Sequence, residues 1–265
     1  MRHPVAYGFY PPEPETLRKE VERLLGQKVE KIDALGAVVP HAGYQFSGHV
    51  AGAVYTSINT EKRKFLIACP NHTGYGTRIA LSQQDWQTPL GAVEVDKSFA
   101  GKITVNEDAH LFEHAIEVQL PFLQVKFKKF ELIPIVLSHL SFEEIEELSE
   151  KLVADDIFYI ASSDFIHFGS NYGFMPVNGT NKENLEWVKK QDMKAIDLIS
   201  SLRAKEFYKF VVENELTICG FIPITLVLLI MKKLGAKKGK LIKYTTSYGV
   251  YPDSSFVTYA GIVFS

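Results

Sequence analysis

Two rhythms of apolar and polar positions run through this chain. Continuous apolar runs bounded by turn-forming residues occupy 35–39, 65–69, 132–137 and 157–161, and uninterrupted runs of that length predict strands covered on both faces. Helical spacing falls between them. Residues 16–25 place Leu17, Val21, Leu24 and Leu25 on one stripe, and 47–58 present a small-residue face of Gly48, Ala51 and Gly52 suited to close packing. Ser141 followed by Glu144 is a capping box opening an amphipathic stretch that reaches Val153. Further helices are predicted over 184–202, 205–212 and 223–234, the last ending at Gly235 in a left-handed cap. The segment FEHAIEVQLPFLQ reads as a helix that carries Glu113, His114 and Glu117 on adjacent turns.

Strands alternating with helices imply an α/β fold with a mostly parallel central sheet and helices on both faces. The tail breaks the alternation. Residues 240–248 and 255–264 are rich in Tyr, Thr, Val and Ile and flank a turn at Pro252, Asp253 and Ser254, so they predict two late strands, an antiparallel pair. No internal repeat, low-complexity segment or compositional break marks a linker, and one domain over 1–265 is expected. Residues 169–182, with interspersed glycines, asparagines and threonines, are the candidate functional loop.

Composition narrows the function classes. Basic and acidic residues balance at 29 against 31 with no dense basic block, which argues against nucleic acid as a partner. The longest apolar stretch, Phe221 to Met231, carries Pro223 and Thr225 and is far shorter than the roughly 20 residues that span a bilayer. It reads as a buried helix, and no membrane partner is expected. The opening MRHPVAYGFYPP has prolines where a signal peptide would be apolar, and the only cysteines are Cys69 and Cys219; a cytoplasmic setting with free thiols is the expectation.

The candidate chemistry lies where apolar runs end. GAVVP leads into His41, FLIACPN into His72, and IFYIA into SSDFIHFG with Asp164 and His167. In α/β sheets ligands bind beyond the carboxyl ends of the strands, so three such endings point to one shared site. Two neutral imidazoles with one anionic donor would hold a transition metal and leave positions open for water or substrate. Asp164 and Cys219 both qualify as that donor, the latter because a helix N-terminus at Pro223 would favour its thiolate. Cys69, inside an apolar run, reads as an inert core thiol. His3, His49, His110 and His139 receive no role.

The segments RHPVAYGFYP, VVPHAGYQFSG, PNHTGYG, EHAIEVQLPFLQ, ASSDFIHFG, TICGFIPI and YAGIVF, spread over nearly the whole chain, resemble the Memo family, also grouped as protein B of the AmmeMemoRadiSam system. That resemblance implies a fold similar to the class III extradiol dioxygenases, whose iron is held by two histidines and a glutamate. It places the metal ligands at His41, His72 and Cys219, with Asp164 and His167 as the catalytic pair beside them and His167 at the acid/base position. His114 and Glu117 become candidates for contacts that support the ligands. Cys219 stands where the dioxygenases keep a carboxylate, which favours softer ions; copper or iron is the expected cofactor, with zinc as the alternative. Asn71 departs from the Ser or Gly of many relatives.

The functional expectation is a metal-dependent redox enzyme acting on a small substrate or O₂, in which His167, oriented by Asp164, moves a proton. A peptide- or protein-binding module using the same pocket and a zinc-dependent hydrolase are the alternatives. The family name also implies a functional link to radical SAM and AMMECR1-domain proteins.

Overall fold

The computed structural model describes residues 1–265. Its first half runs α1 (Pro14–Leu25), β1 (Ile32–Asp33), β2 (Gly36–Val39), α2 (Tyr44–Ser57), β3 (Ile58–Asn59), β4 (Lys64–Pro70), β5 (Ile79–Leu81), β6 (Trp86–Thr88) and β7 (Gly91–Val95). The second half continues α3 (Leu120–Lys126), β8 (Glu131–Leu137), α4 (Phe142–Leu152), β9 (Ile157–Ser162), β10 (His167–Phe168), α5 (Asn181–Ser200), α6 (Ala204–Glu213), α7 (Phe221–Lys233), β11 (Gly239–Thr246) and β12 (Phe256–Phe264).

One sheet organises the α/β domain, in the order β10-β12-β2-β9-β4-β8-β7-β6, with β11 also on β12 and β5 also on β8. Strands β2, β9, β4, β8 and β7 are mutually parallel. Outside them the pairing reverses: β12 is antiparallel to β2, β10 and β11, and β5 and β6 are antiparallel to β8 and β7. The sheet is therefore mixed, a correction to the mostly parallel arrangement expected from strand and helix alternation. The terminal strands follow one another by a short connection rather than a helix, and such strands can only meet antiparallel.

Alternate side chains of the inner strands enter two separate cores. Val38, Leu66, Ala68, Ile133, Ile135 and Tyr159 join one, while Ala37, Val39, Phe65, Ile67, Phe158 and Ile160 join the other. Helices α4 to α7 cover the first face and α1 to α3 the second. This explains the unbroken apolar runs, since neither face meets water. α7 is apolar around its whole circumference because the sheet lies beneath it and α4 and α6 pack beside it. It closes at Gly235, whose φ is +80°, as the sequence predicts. The capping box of Ser141 and Glu144 is present, and a second one, Thr180 with Glu183, starts α5.

One predicted helix is absent. Glu113 and His114 lie in a loop, followed by a single 3-10 turn at Glu117–Gln119 and then by α3 from Leu120. Pro121 sets this boundary: proline lacks the donor an interior helical position needs and fits only in a first turn.

The small-residue face of α2 meets α1. A Cβ on Gly52 would overlap the Leu24 carbonyl, and one on Gly48 would lie 3.0 Å from Leu24 Cδ1. Because a backbone oxygen cannot swing aside, Gly52→Ala should destabilise the protein by about 1 to 3 kcal/mol, the usual range for overpacking. Chemical denaturation reads this directly, and an unchanged midpoint would refute the close α1–α2 contact.

Candidate metal centre

The strand order explains how residues remote in sequence come together. β9 lies between β2 and β4, so the loops after β2 and β4 begin only about 10 Å apart, two strand spacings. Register keeps the strand ends level, with Val39 opposite Ser162 and Ala68 opposite Ala161. His41, His72 and Asp164 consequently emerge at one edge of the sheet. Cys219 arrives from the turn before α7, where Ile218 bridges Ile166. That approach needs Gly220: a Cβ there would collide with Ser163, whose hydroxyl instead accepts the Gly220 amide at 3.0 Å.

The ligand atoms of His41, His72 and Cys219 lie within 4.8 Å of one another. Tetrahedral coordination by a sulfur at about 2.3 Å and an imidazole nitrogen at about 2.0 Å would set those donors roughly 3.5 Å apart, and His41 Nε2 is 3.3 Å from Cys219 Sγ. The spacing fits an ion.

Hydrogen bonding decides which nitrogen of each imidazole is free. Gln119 Nε2 donates to the Pro40 carbonyl at 3.0 Å and to Ser162 Oγ at 2.9 Å, while its Oε1 accepts from the Tyr55 hydroxyl at 2.9 Å. Ser162 in turn donates its only proton to the Ala115 carbonyl at 2.7 Å. What remains on Ser162 is a lone pair, so His41 Nδ1, 3.0 Å away, must carry the proton. His72 Nδ1 likewise faces Glu113 Oε1 at 2.9 Å, and the same carboxylate accepts the His72 amide at 2.7 Å. Both Nε2 atoms are thereby turned toward the shared volume. Asn71 shapes the turn that holds His72, donating to Tyr75 O and accepting from Gly74 N.

Burial, and after it the charge of the neighbouring His72, keeps His41 well below the ordinary imidazole range and therefore neutral. Burial opposes the imidazolium of His72 as well, but hydrogen bonds with Cys219 and Glu113 outweigh it and hold this group up at about 10. Desolvation pushes the Cys219 thiol up, only partly offset by His72. Cys69 is buried in the core beneath α1 to α3, its thiol pushed well up by desolvation.

Asp164 and His167 do not form the couple expected from sequence. Asp164 Oδ1 accepts the amides of His41 and Ala42 at 2.8 and 3.2 Å, and Oδ2 lies 3.9 Å from His41 Nε2. His167 is oriented by carbonyls instead, with Nδ1 at 3.0 Å from both Phe165 O and Thr217 O. Those oxygens only accept, so Nδ1 carries a proton and Nε2 is the nitrogen left to face the cavity. Thr217 Oγ1 also accepts the His167 amide and donates back to its carbonyl, at 3.0 and 2.8 Å.

His114 packs its ring against that of His72, with centroids 5.0 Å apart, and lies 5.6 Å from His41. Burial drops it to about 4, so it stays neutral. Glu117 turns away from the ligands. It forms a buried ion pair with Arg2 at 2.6 Å and accepts from Val5 N, Ala6 N and Tyr10 OH. Arg2 also donates to the His110 and Glu113 carbonyls at 2.8 and 2.6 Å and stacks on Trp86. The N-terminal arm thus fastens the loop that carries Glu113, and it brings Phe9 to within 4.2 Å of His114. Sequence reasoning missed this clamp, although a glutamate among Ile116, Val118 and Leu120 signals a buried acid that needs a cation.

Two cavities meet at this centre. One of about 440 Å³ is lined by His41, His72, His114, Asp164 and His167, with Asn171 and Tyr172 contributed by the 169–182 loop. The other, about 500 Å³, also reaches His72, His167 and Tyr172 and is bounded by Cys219 and the start of α7.

A family model described as Memo-like protein matches residues 2–263. A MEMO1 family protein of Methanosarcina mazei is 38% identical over 279 residues, covering 99% of this chain and 98% of its own. Similar proteins from Methanosarcina barkeri, 37% identical with 99% of both chains covered, and Aquifex aeolicus, 35% identical with 100% and 99% covered, show that the likeness extends from end to end.

Two outcomes follow from the proton bookkeeping. Burial favours the protonated thiol of Cys219 when no ion is bound, and a bound ion would displace that proton. Metal affinity should accordingly rise with pH, as measured by chelator competition; affinity flat with pH would contradict the assigned ligands. Glu113→Gln, which removes the charge that orients His72, should weaken metal binding by about 10- to 100-fold in the same assay.

Proposed function

The chain belongs to the family of Memo-like proteins, and on that basis we propose that it is a metal-dependent redox protein acting on a small substrate or dioxygen. In this reading His41, His72 and Cys219 hold one transition-metal ion, copper or iron, at the carboxyl edge of an extradiol-dioxygenase-like sheet. The observation that carries it is the convergence of these three donor atoms within 4.8 Å, with both Nδ1 atoms already committed to Ser162 and Glu113. A set of two imidazoles and one thiolate is one that copper adopts, and it leaves a position open for a substrate. When bound, such an ion would supply a one-electron couple and Lewis acidity.

The chain's own groups then do the rest. His41, His72 and Cys219 fix the position of the reacting centre. His167 takes or returns a proton at Nε2, with its ring oriented by the two carbonyls that hold Nδ1. Asp164 lines the same cavity, with Oδ2 3.9 Å from His41 Nε2. Phe9 and Tyr172 pack against His114 and His167 at the cavity wall.

Proton transfer by a positioned side chain contributes roughly 100- to 10,000-fold. His167→Ala is therefore expected to lower turnover by that factor with full metal content, whereas His41→Ala and Cys219→Ala should lose the ion. Elemental analysis of protein purified without added metal, beside an oxygen-consumption assay across candidate reductants, tests both. Stoichiometric zinc with hydrolytic turnover would replace this reading by zinc-assisted hydrolysis. A wild-type protein that takes up no metal and turns nothing over would leave a peptide-binding pocket.

A further inference from the structure

We propose that Asp192 is a proton-sensitive latch: uncharged, it lets α5 close on the β11–β12 pair, and ionised, it loosens that junction and the cavity wall built on it. The other buried acids are compensated. Asp96 meets Lys64, Glu117 meets Arg2, and Glu113 and Asp164 accept backbone amides. Asp192 is the exception. It lies within α5 with no exposed surface; Oδ2 is 2.7 Å from the Tyr244 hydroxyl, and Oδ1 has no hydrogen-bond partner.

No charge faces it from the elements packed around α5. On β11, Tyr244 is the titratable group turned toward the helix, its hydroxyl raised by burial and so neutral, while Lys243 reaches Gln27 instead. β12 presents Thr258 between the apolar Phe256 and Ala260, with Tyr259 in a separate cluster beside Val50. β10 adds Phe168, and the backbone of Ile166 lies beside the carboxyl. α6 contributes Phe207 and Val211 to the core and leaves Lys205, Glu206 and Lys209 exposed, as α5 does its own Lys189, Lys190 and Lys194. A carboxylate buried without a cation is unfavourable, so the group holds its proton to higher pH. Burial pushes Asp192 up to about 7, against the opposing pull of Tyr244, Thr258 and the Ile166 backbone.

This junction supports the site from behind. β10, which carries His167, pairs with β12, and the preceding residues are tied to the same strand by Phe165 N to Thr258 O at 2.8 Å and Thr258 N to Ile166 O at 3.0 Å. The β11–β12 connection supplies Ser247, Asp253 and Ser255 to the 440 Å³ cavity, and the loop leading into α5 supplies Asn171 and Tyr172. A charge on Asp192 therefore acts on the strands and the helix that hold this wall, whichever ion the ligands bind.

The folded chain keeps this proton to a higher pH than the unfolded chain, where an aspartate titrates near about 4. Stability should consequently fall as pH climbs from there toward about 7 and level off above it. Between about pH 5 and about pH 8.5, chemical denaturation should show the unfolding constant of the wild type rising about ten- to a hundredfold relative to that of Asp192→Asn. Amide exchange, corrected for its intrinsic pH dependence, should quicken over α5, β11 and β12 in the wild type and leave the parallel strands unchanged. Carbon-13 titration of the wild-type Asp192 carboxyl should centre near 7, and Tyr244→Phe should move it upward, because the phenol favours the anion. That readout stands even if Asp192→Asn does not fold. The same pH response of unfolding in wild type and Asp192→Asn, exchange that quickens uniformly over the sheet, or an Asp192 carboxyl titrating in the ordinary range of about 4 would overturn the latch.

Discussion

The centre depends on where two imidazole protons are held. A histidine can present either nitrogen to a ligand, and only a fixed acceptor at one makes the other dependable. Here the Ser162 hydroxyl and the Glu113 carboxylate take the Nδ1 protons of His41 and His72, and each acceptor is itself constrained. Ser162 cannot act otherwise, because Gln119 and Ala115 use its remaining capacity. Glu113 is held by the backbone of His72 and Ala115. The rings are therefore aimed before any ion arrives, which reduces the ordering that binding would otherwise require.

Behind these contacts stands the sheet. With β9 between β2 and β4, strands from different parts of the chain deliver His41, Asp164 and His72 to one edge, and the two apolar cores keep that edge rigid. The N-terminal arm completes the arrangement from outside. Arg2 joins the backbone at His110 and Glu113 to the buried carboxylate of Glu117, so a residue far from the ligands in sequence fixes the loop that orients one of them. Removing one partner of such a buried pair leaves an uncompensated charge, which is why the clamp and the loop hold or fail together.

Much of this was legible in the residue pattern, for identifiable reasons. The inner strands announced themselves because both faces are covered, and α4 and α7 because a capping box and a terminal glycine bracket them. Polar residues at the points where strands stop marked His41, His72 and Asp164. Other features were hidden. The antiparallel pairing of the two late strands with each other was read from the tail, but strand direction at the sheet margins is a matter of partner choice, which periodicity does not encode, so the antiparallel joining of β12 to β2 and of β5 to β8 went unread. Pro121 did forbid the helix expected around Glu113, yet the spacing of the acids there mimicked one. The acceptors of His41 and His167 are a serine hydroxyl and backbone carbonyls, and nothing in their local sequence sets them apart. Cys219 became a ligand candidate only through family resemblance and its place before α7, while its raised pKa follows from desolvation that only the folded chain reveals.

X-ray absorption spectroscopy of the metal-loaded protein addresses the central claim most directly. The account predicts one sulfur scatterer at about 2.3 Å together with imidazole nitrogens near 2.0 Å, and the disappearance of the sulfur shell in Cys219→Ala. A coordination sphere of nitrogen and oxygen alone in the wild type would contradict it.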